Sequence, residues 1–311
     1  MTQESISKPS RQTLWPGMAL ACILIAAGAA SGYYLFRREE RPASKTRAIR
    51  SELEGITSVA VGADGTVYAG GSFGVKLFDT GWQLSGGWAT PKTVNALAVG
   101  RDGTVYVAYE NQVEKFSKDG RSLLVWGKGG CDRDDFALLS GIAVSDADVF
   151  VADSGARMVY RFTEDGQLLN EIGRRDAGPE GKGLLVPGSC LDCAVWGGVV
   201  YVNNPGCWRV EKYDLTGRLL GAWGKGGWKD DEFPGCCNPT NLTVLPGGEI
   251  AVAQKGVPRI KVFGQAGKLV AVLGKGVFAP ESRGIDLATD SQGRIYAVDR
   301  VARCVRVFEE Y

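Results

Sequence analysis

Cysteine is the residue type in this chain with the most specific chemical potential. Thiolates can form a redox-active pair or hold a soft metal or an iron–sulfur cluster, and none of these sites requires histidine. Five cysteines are candidates for such a site: Cys131, Cys190, Cys207, Cys236 and Cys237. The last two are adjacent within Gly235-Cys-Cys-Asn-Pro239, the most unusual local sequence in the chain. Disulfide bonds or unreactive packing would explain the same residues, so these alternatives stay open.

The chain has 311 residues and no histidine. This absence excludes histidine-ligated zinc, serine or cysteine catalysis assisted by histidine, and imidazole acid–base chemistry. The 44 glycines against 3 methionines favour many short strands joined by tight turns, because glycine adopts the positive φ that such turns need. We therefore predict an all-β protein.

A second group of candidates consists of cations that follow a glycine after a predicted outer strand. They are Lys128, Arg174, Lys225 and Lys275, and together with Trp208 and Trp228 they are the candidate binding residues. Cations at equivalent positions could bind an anionic group. The alternative is that each glycine ends a strand and the solvated cation prevents pairing at the sheet edge.

The globular part of the chain is mildly acidic. Residues 51–311 carry 28 basic and 32 acidic residues, a net charge of −4. Binding of nucleic acid through the release of counterions needs a basic face. A nucleic-acid partner is therefore not expected.

Beyond residue 55 the chain repeats one kind of unit six times. Each unit has an apolar alternating strand, a turn, a second strand and a third strand that ends in an aromatic residue. The first strands are Ser58-Val-Ala-Val61, Ala96-Leu-Ala-Val99, Gly141-Ile-Ala-Val144, Asp192-Cys-Ala-Val195, Asn241-Leu-Thr-Val244 and Gly284-Ile-Asp-Leu287. The aromatic residues are Phe78, Phe116, Phe162, Tyr213, Phe263 and Phe308, separated by 38 to 51 residues. Short strands at this period predict four-stranded units that stack radially into a six-bladed β-propeller.

The repeats also resemble a known family. Segments such as Gly141-Ile-Ala-Val144, Val149-Phe-Val-Ala-Asp153 and Met158-Val-Tyr-Arg-Phe162 look like NHL repeats. The resemblance covers residues 56–311 and implies a six-bladed propeller of the NHL kind, of the membrane-anchored bacterial type. Related propellers include lactonases with carboxylate and amide metal ligands around the central tunnel, and lyases with a histidine-bound metal. This chain has no obvious inward-facing glutamate for the first chemistry and no histidine for the second.

In such a propeller the loops between blades and the loops that join second to third strands open on one face, here named the upper face. Functional residues commonly collect in loops of this kind. All five candidate cysteines fall in these loops, with Cys207 in a second-to-third-strand loop and the others between blades. Cys193 and Cys304 instead fall on strands and are expected to be buried apolar residues.

No fourth strand follows Phe308 in the sixth unit. We predict that a segment around Arg47–Leu53 supplies this outer strand and closes the ring. The segment lies at the end of a charged linker that spans residues 37–55.

Residues 14–36 are predicted to form a transmembrane anchor, preceded by a tail at residues 1–13. Thr13 to Phe36 contains no charged residue, and at about 1.5 Å per residue this length spans a hydrocarbon core of about 30 Å. A cleaved signal peptide, suggested by Ala27-Gly-Ala29, and a lipid-modified Cys22 are alternatives. The basic residues after the segment place the propeller in the cytoplasm by the positive-inside rule. The resemblance to anchored bacterial propellers favours an extracytoplasmic propeller, and we adopt that prediction.

Together these observations favour a membrane-tethered binding or scaffold module. It would recognise a protein, peptide or glycan through its upper face and would need no cofactor. The alternative is a redox or metal/iron–sulfur protein that uses the loop cysteines, and a more distant one is a metal-dependent hydrolase resembling the lactonases. No catalytic residue is assigned.

Overall fold

Short alternating segments form strands throughout the described part of the chain, which in the computed structural model comprises residues 46–50, 55–127, 136–174 and 183–309. These residues belong to one unit, Ala43–Tyr311. The predicted tail and anchor lie outside the described residues, as do Lys128, Cys131 and most of the linker. Within the described ranges, no helix is both long and apolar enough to cross a membrane.

The strands follow one another in chain order from the first blade to the sixth. They are β1 (Thr46–Arg50), β2 (Ser58–Val61), β3 (Val67–Gly71), β4 (Gly74–Phe78), β5 (Leu84–Ala89), β6 (Ala96–Val99), β7 (Val105–Ala108), β8 (Val113–Phe116), β9 (Ser122–Trp126), β10 (Leu139–Val144), β11 (Asp148–Asp153), β12 (Met158–Thr163), β13 (Leu168–Ile172), β14 (Cys193–Trp196), β15 (Val199–Asn204), β16 (Arg209–Asp214), β17 (Leu219–Trp223), β18 (Asn241–Val244), β19 (Ile250–Gln254), β20 (Arg259–Phe263), β21 (Leu269–Leu273), β22 (Leu287–Thr289), β23 (Ile295–Asp299) and β24 (Cys304–Phe308). A short 3₁₀ helix, Pro205–Cys207, joins β15 to β16.

These strands form six antiparallel four-stranded sheets in the described part of the chain. Blades 1 to 5 are built from β2–β5, β6–β9, β10–β13, β14–β17 and β18–β21, with the strands in chain order from the tunnel outward. Blade 6 contains β22, β23 and β24, followed by β1 at its outer edge. The predicted all-β, six-bladed architecture is therefore confirmed.

Pairing of β1 with β24 closes the ring at the outside. The two strands are antiparallel, with Ala48 opposite Arg306. Ile49 is 2% exposed and packs with Val298 and Val305 in the core between blades 6 and 1. Residues 47–50 of the segment that the sequence marks as the closing strand take part in this pairing, and the rest of that segment lies outside the described residues.

The apolar core lies between neighbouring blades. One position of the second strand packs against the next blade in every case, as Tyr68 of blade 1 does against Leu97 and Val105 of blade 2. The six residues at this position are 2% exposed or less: Tyr68, Tyr106, Phe150, Tyr201, Ala251 and Tyr296. Burial of one such aromatic side chain contributes about 1.5–3 kcal/mol, so the blades stabilise one another around the ring.

The inner strand of blade 6 begins three residues later than the sequence pattern predicts. Ala288 lies opposite Tyr296, as Ala60 lies opposite Tyr68 in blade 1. The inner strand is therefore Leu287–Thr289, not a strand starting at Gly284. Ile285 completes a local pattern resembling that of blade 3, but its side chain packs into the core between blades 5 and 6.

Candidate binding face and tunnel

The first strands of the six blades line a central tunnel with a cavity of about 230 Å³. One position, near the upper end of the inner strand, is equivalent in all six blades. Its residues, named the tunnel ring, are Ser58, Ala96, Gly141, Asp192, Asn241 and Asp286. Two carboxylates and one amide thus lie in three consecutive blades.

Polar side chains of the tunnel ring tie several blades to their neighbours. The carboxylate of Asp286 accepts hydrogen bonds from the Ser58 hydroxyl and the Val59 amide, at 2.7 and 2.9 Å. The Ser58 oxygen in turn accepts a bond from the amide of Leu97, at 2.9 Å. The Asp192 carboxylate accepts one from the amide of Leu242, at 3.0 Å. The three bonds from backbone amides satisfy inner-edge donors that have no strand partner on the tunnel side.

The two carboxylates of the tunnel ring are shifted toward their neutral forms. Burial and the neighbouring Asp286 carboxylate raise the pKa of Asp192 well above its usual value. Burial raises the pKa of Asp286 to about 6, against the hydrogen bonds from Ser58 and Val59, which lower it. The Asn241 amide lies 3.5 Å from both carboxylates and bridges them. The sequence did not indicate this pair. Its repeat pattern aligned Gly284, and not Asp286, with Asp192.

The loops on either side of blade 4, which carry Cys190, Cys236 and Cys237, meet on the upper face. The side-chain nitrogen of Asn203, near the end of β15, donates to the carbonyl oxygens of Cys190 and Pro239, at 2.7 and 2.9 Å. Cys190 precedes blade 4, and Pro239 follows Cys237 by two residues. A single buried amide therefore joins the loop of Cys190 to the loop of Cys236 and Cys237.

The thiols differ in exposure. Cys236 is exposed, Cys190 and Cys207 are half-buried, and Cys237 is 9% exposed. No disulfide bond joins any two of the six cysteines that the structure describes. Cys193 and Cys304, predicted to be buried, are each 3% exposed.

Burial sets the protonation of the inner thiols. Burial raises the pKa of Cys190, although the charges of Lys255 and Arg300 lower it. Burial and a hydrogen bond with the Cys236 side chain raise the pKa of Cys237, and Cys190 adds a smaller effect in the same direction. Both thiols are therefore protonated at neutral pH. Among the described residues, no three cysteine, aspartate or glutamate side chains are placed to hold a metal ion together.

Trp228 lies on a well-anchored loop between blades 4 and 5. Its side chain is 79% exposed, the largest exposure among the bulky apolar residues of the described chain. Five residues later, Phe233 is fully buried and packs on Phe263, with 5.9 Å between ring centroids. The loop closes on itself through hydrogen bonds from the Phe233 amide to the Lys225 carbonyl, at 2.9 Å, and from the Gly227 amide to the Phe233 carbonyl, at 3.1 Å.

Further contacts hold the same loop against blade 5. The fully buried Lys261 donates to the Glu232 carbonyl oxygen. Arg259, 8% exposed in its side chain, pairs with Asp230 at 3.2 Å. The loop that carries Trp228 is thus held both by its own hydrogen bonds and by contacts with blade 5.

Trp208 and three residues that the sequence did not single out extend the apolar part of the upper face. Trp208 is 37% exposed, and its indole nitrogen donates to the Gly235 carbonyl at 2.6 Å. Phe73, Val257 and Val301 lie in the second-to-third-strand turns of blades 1, 5 and 6 and are 64%, 41% and 47% exposed. Their position in turns, where polar residues are usual, is the signal that could have identified them.

The candidate cations lie at the rim of the upper face and differ in their partners. Lys225 pairs with Glu232 at 3.2 Å, and Arg174 pairs with Glu171 at 3.5 Å. Lys275 is exposed. Lys255 and Arg300, which the sequence did not indicate, begin the second-to-third-strand turns of blades 5 and 6, close enough to Cys190 to affect its pKa.

Comparison with known proteins supports the architecture. The chain is similar to the WD40 β-propeller domain of Doa1, with a TM-score of 0.56 and 14% identity over 82% of this chain and 79% of that one. It is also similar to streptogramin B lyase, with a TM-score of 0.54 and 12% identity over 86% and 87% of the two chains. For virginiamycin B lyase from Staphylococcus aureus the TM-score is 0.52, with 13% identity over 82% of each chain. No protein-family model and no curated protein sequence matches the chain.

At such low identity these likenesses show the fold alone. Together with the six four-stranded sheets, they define the chain as a six-bladed β-propeller.

Proposed function

We propose that this chain is a membrane-tethered binding module, a propeller of the NHL kind that recognises a protein or peptide through its upper face. The observation that carries the proposal is the exposure of Trp228, 79%, on a loop anchored by the buried Phe233. Tryptophan is among the residues that most often dominate binding energy at interfaces. A loop that is already ordered loses little conformational entropy when a partner binds.

The surroundings of Trp228 fit the same role. Trp208, 37% exposed, is held on the Gly235 carbonyl of the same loop. Phe73, Val257 and Val301 add exposed apolar surface in other turns of this face. Exposed aromatic and apolar residues concentrated in loops are typical of surfaces that contact another protein.

The cations of the upper face define the polar part of the proposed surface. Arg174, Lys225 and Lys275 each follow the glycine after an outer strand, and Lys128 occupies the same sequence position outside the described residues. We propose that they contact acidic groups of the partner. For Lys225 this contact competes with Glu232, which lies 3.2 Å away.

Catalysis of the kind named for two similar structures is not part of the proposal. One solved structure is a catalytically inactive virginiamycin B lyase variant, with alanine in place of a histidine, together with quinupristin. The present chain contains no histidine. The scaffold role is instead compatible with the likeness to a WD40 propeller domain.

The tether is proposed from residues 14–36, with the propeller outside the cytoplasm. Alkaline carbonate extraction should leave the full-length chain in the membrane fraction, and protease added to spheroplasts should degrade the propeller. Release by carbonate would contradict the tether, and protection from protease would reverse the orientation.

Site-specific photo-crosslinking tests the binding role. A photoreactive amino acid at position 228 should give one discrete protein adduct in cells that produce the full-length chain. Excess purified propeller should compete with adduct formation, whereas the Trp208→Ala propeller should compete less well. The matched control is position 216, an exposed residue in the turn between β16 and β17 on the opposite face.

The outcomes separate clearly. A discrete adduct at position 228 that the propeller suppresses, without one at position 216, supports binding through the upper face. Equal labelling at both positions, or no adduct at position 228, contradicts it.

A further inference from the structure

A single side chain, that of Asn203, holds together the two loops of the upper face that carry Cys190 and Cys237. Asn203 joins the backbone of Cys190 to that of Pro239 with bonds of 2.7 and 2.9 Å, so the two loops that flank blade 4 meet at one amide. The same nitrogen also donates to the Thr240 carbonyl at 3.0 Å. The loops that carry Cys190 and Cys237, 47 residues apart in the sequence, are therefore held together, and the electrostatic effect of Cys190 contributes to the raised pKa of Cys237.

Cys236 connects this inner pair to solvent. Its thiol is exposed, whereas the adjacent Cys237 is 9% exposed. The side chains of Cys236 and Cys237 share a hydrogen bond, which contributes to the raised pKa of Cys237. Cys236 is thus the most exposed of the three thiols, since Cys237 is buried and Cys190, on the neighbouring loop, is half-buried.

We propose that Cys236, Cys237 and Cys190 form a site of thiol–disulfide exchange, at which a small organic disulfide enters at Cys236 and the end product is a Cys190–Cys237 disulfide. The co-reactant is the organic disulfide itself, so the reaction needs no further oxidant.

The exchange consists of three displacements. The Cys236 thiol loses its proton to solvent and attacks one sulfur of the disulfide, releasing one thiolate that is then protonated. Cys237 attacks the Cys236 sulfur in the same way and releases the second small thiol. Cys190 then attacks the Cys237 sulfur, and Cys236 leaves as a thiol. Overall, two protein thiols are oxidised to one disulfide and one organic disulfide is reduced to two thiols.

The product would join the two loops that flank blade 4. One of these loops carries Trp228, and the carbonyl of Gly235, next to Cys236, accepts the indole hydrogen bond of Trp208. A link to partner binding rests on the proposed function, whereas the exchange chemistry does not. Thiol–disulfide exchange can be measured without any binding partner. A failure of the exchange proposal can therefore be distinguished from a failure of the proposed binding function.

Oxidised glutathione is a suitable probe. The purified full-length chain in mild detergent is reduced, freed of reductant and incubated with oxidised glutathione, then alkylated and digested. We expect two glutathione molecules to be released per chain and a cross-linked peptide pair containing Cys190 and Cys237. Unreacted thiols, glutathione retained on Cys236 at the end point, or a disulfide between other cysteines would overturn the proposal.

Single variants identify each step. Cys237→Ser should retain one glutathione on Cys236, and Cys190→Ser should stop at a disulfide between Cys236 and Cys237. Cys236→Ser should form the final disulfide about tenfold more slowly or worse, since the exposed entry thiol is missing. Cys304→Ser, at a buried position on β24, is the matched control and should react like the parent. An unchanged rate in Cys236→Ser would show that the surface thiol is not the point of entry and would contradict the proposed route.

Discussion

Asp286 accepts a hydrogen bond of 2.7 Å from Ser58, although the two residues are 228 positions apart in the sequence. This bond joins the inner strand of the last blade to that of the first at the tunnel wall. The pairing of β1 with β24 joins the N-terminal strand of the chain to its C-terminal strand at the outer edge of blade 6. The ring is thus closed at two radii, once by side chains and once by backbone.

Replacement of Asp286 by asparagine should stabilise the propeller at neutral pH. Because burial raises the pKa of Asp286 to about 6, the folded protein binds this proton more tightly than the unfolded chain does. The parent therefore loses stability relative to Asp286→Asn as the pH rises from about 4 to 6, by about 1–3 kcal/mol. Asparagine keeps an oxygen that can accept the bonds from Ser58 and Val59.

Urea unfolding between pH 4 and 8 measures this difference. Asp146→Asn, at a surface turn, is the control and should follow the parent across the range. A constant difference between Asp286→Asn and the parent at all pH values would contradict the assignment.

The closing strand should contribute measurably to stability. Ile49 is 2% exposed in the core between blades 6 and 1, so Ile49→Ala should lower the free energy of unfolding by about 2–4 kcal/mol. Deletion of residues 43–54 should lower the melting temperature sharply, since it removes β1 altogether. Ala48→Ser changes an exposed position on the same strand and should alter the unfolding free energy by less than about 0.5 kcal/mol. A deletion variant with the parental melting temperature would show that the strand is dispensable.

Lys261 should make stability increase with pH in the alkaline range. Burial lowers the pKa of Lys261 to about 8, below its value in the unfolded chain, which therefore binds more protons between about pH 8 and 10.5. Relative to Lys261→Met, the parent should gain about 2–3 kcal/mol across this window. Denaturant titrations of both proteins from pH 7 to 10 measure the gain. Lys229→Met, at an exposed position of the neighbouring loop, is the control, and its stability should change with pH as that of the parent does. If the stability of Lys261→Met also changed with pH as that of the parent does, the prediction would be wrong.

Gly87 and Gly86 should respond differently to the same substitution. A Cβ at Gly87 would lie 2.4 Å from the Val75 carbonyl oxygen, at a φ of +151°. Gly87→Ala should therefore cost about 2 kcal/mol or more. A Cβ at Gly86 meets nothing within 4 Å, so Gly86→Ala should leave stability unchanged or raise it by up to about 1 kcal/mol. Thermal melts of the two variants make the comparison, and equal effects would contradict the close approach of the two strands.

The blades were predictable because alternation and turns are local properties of the sequence. The aromatic position of the second strand, Tyr68 in blade 1, marks the contact with the next blade. The same local pattern failed in blade 6, where Gly284 and Ile285 resemble the start of an inner strand. Pairing with β23 decides the register there, and Ile285 packs between blades instead.

The candidate site was only partly predictable. The positions of Cys190, Cys236 and Cys237 between blades follow from the repeat. Their proximity depends on Asn203, whose side chain reaches the loops on both sides of its blade. The position of Phe73 and Val301 in turns was a signal of exposure that the sequence offered, and the folded structure shows that both side chains are uncovered.

By itself, the sequence determined the number of blades, the loops that carry the cysteines, and the absence of imidazole chemistry. Each of these depends on composition or on contacts within one repeat. The tertiary structure alone decided that the Asn241 amide meets the carboxylates of Asp192 and Asp286, and that the loop of Cys190 meets the loop of Cys237. Both arrangements join residues from different blades, and their distances are set only when the ring closes.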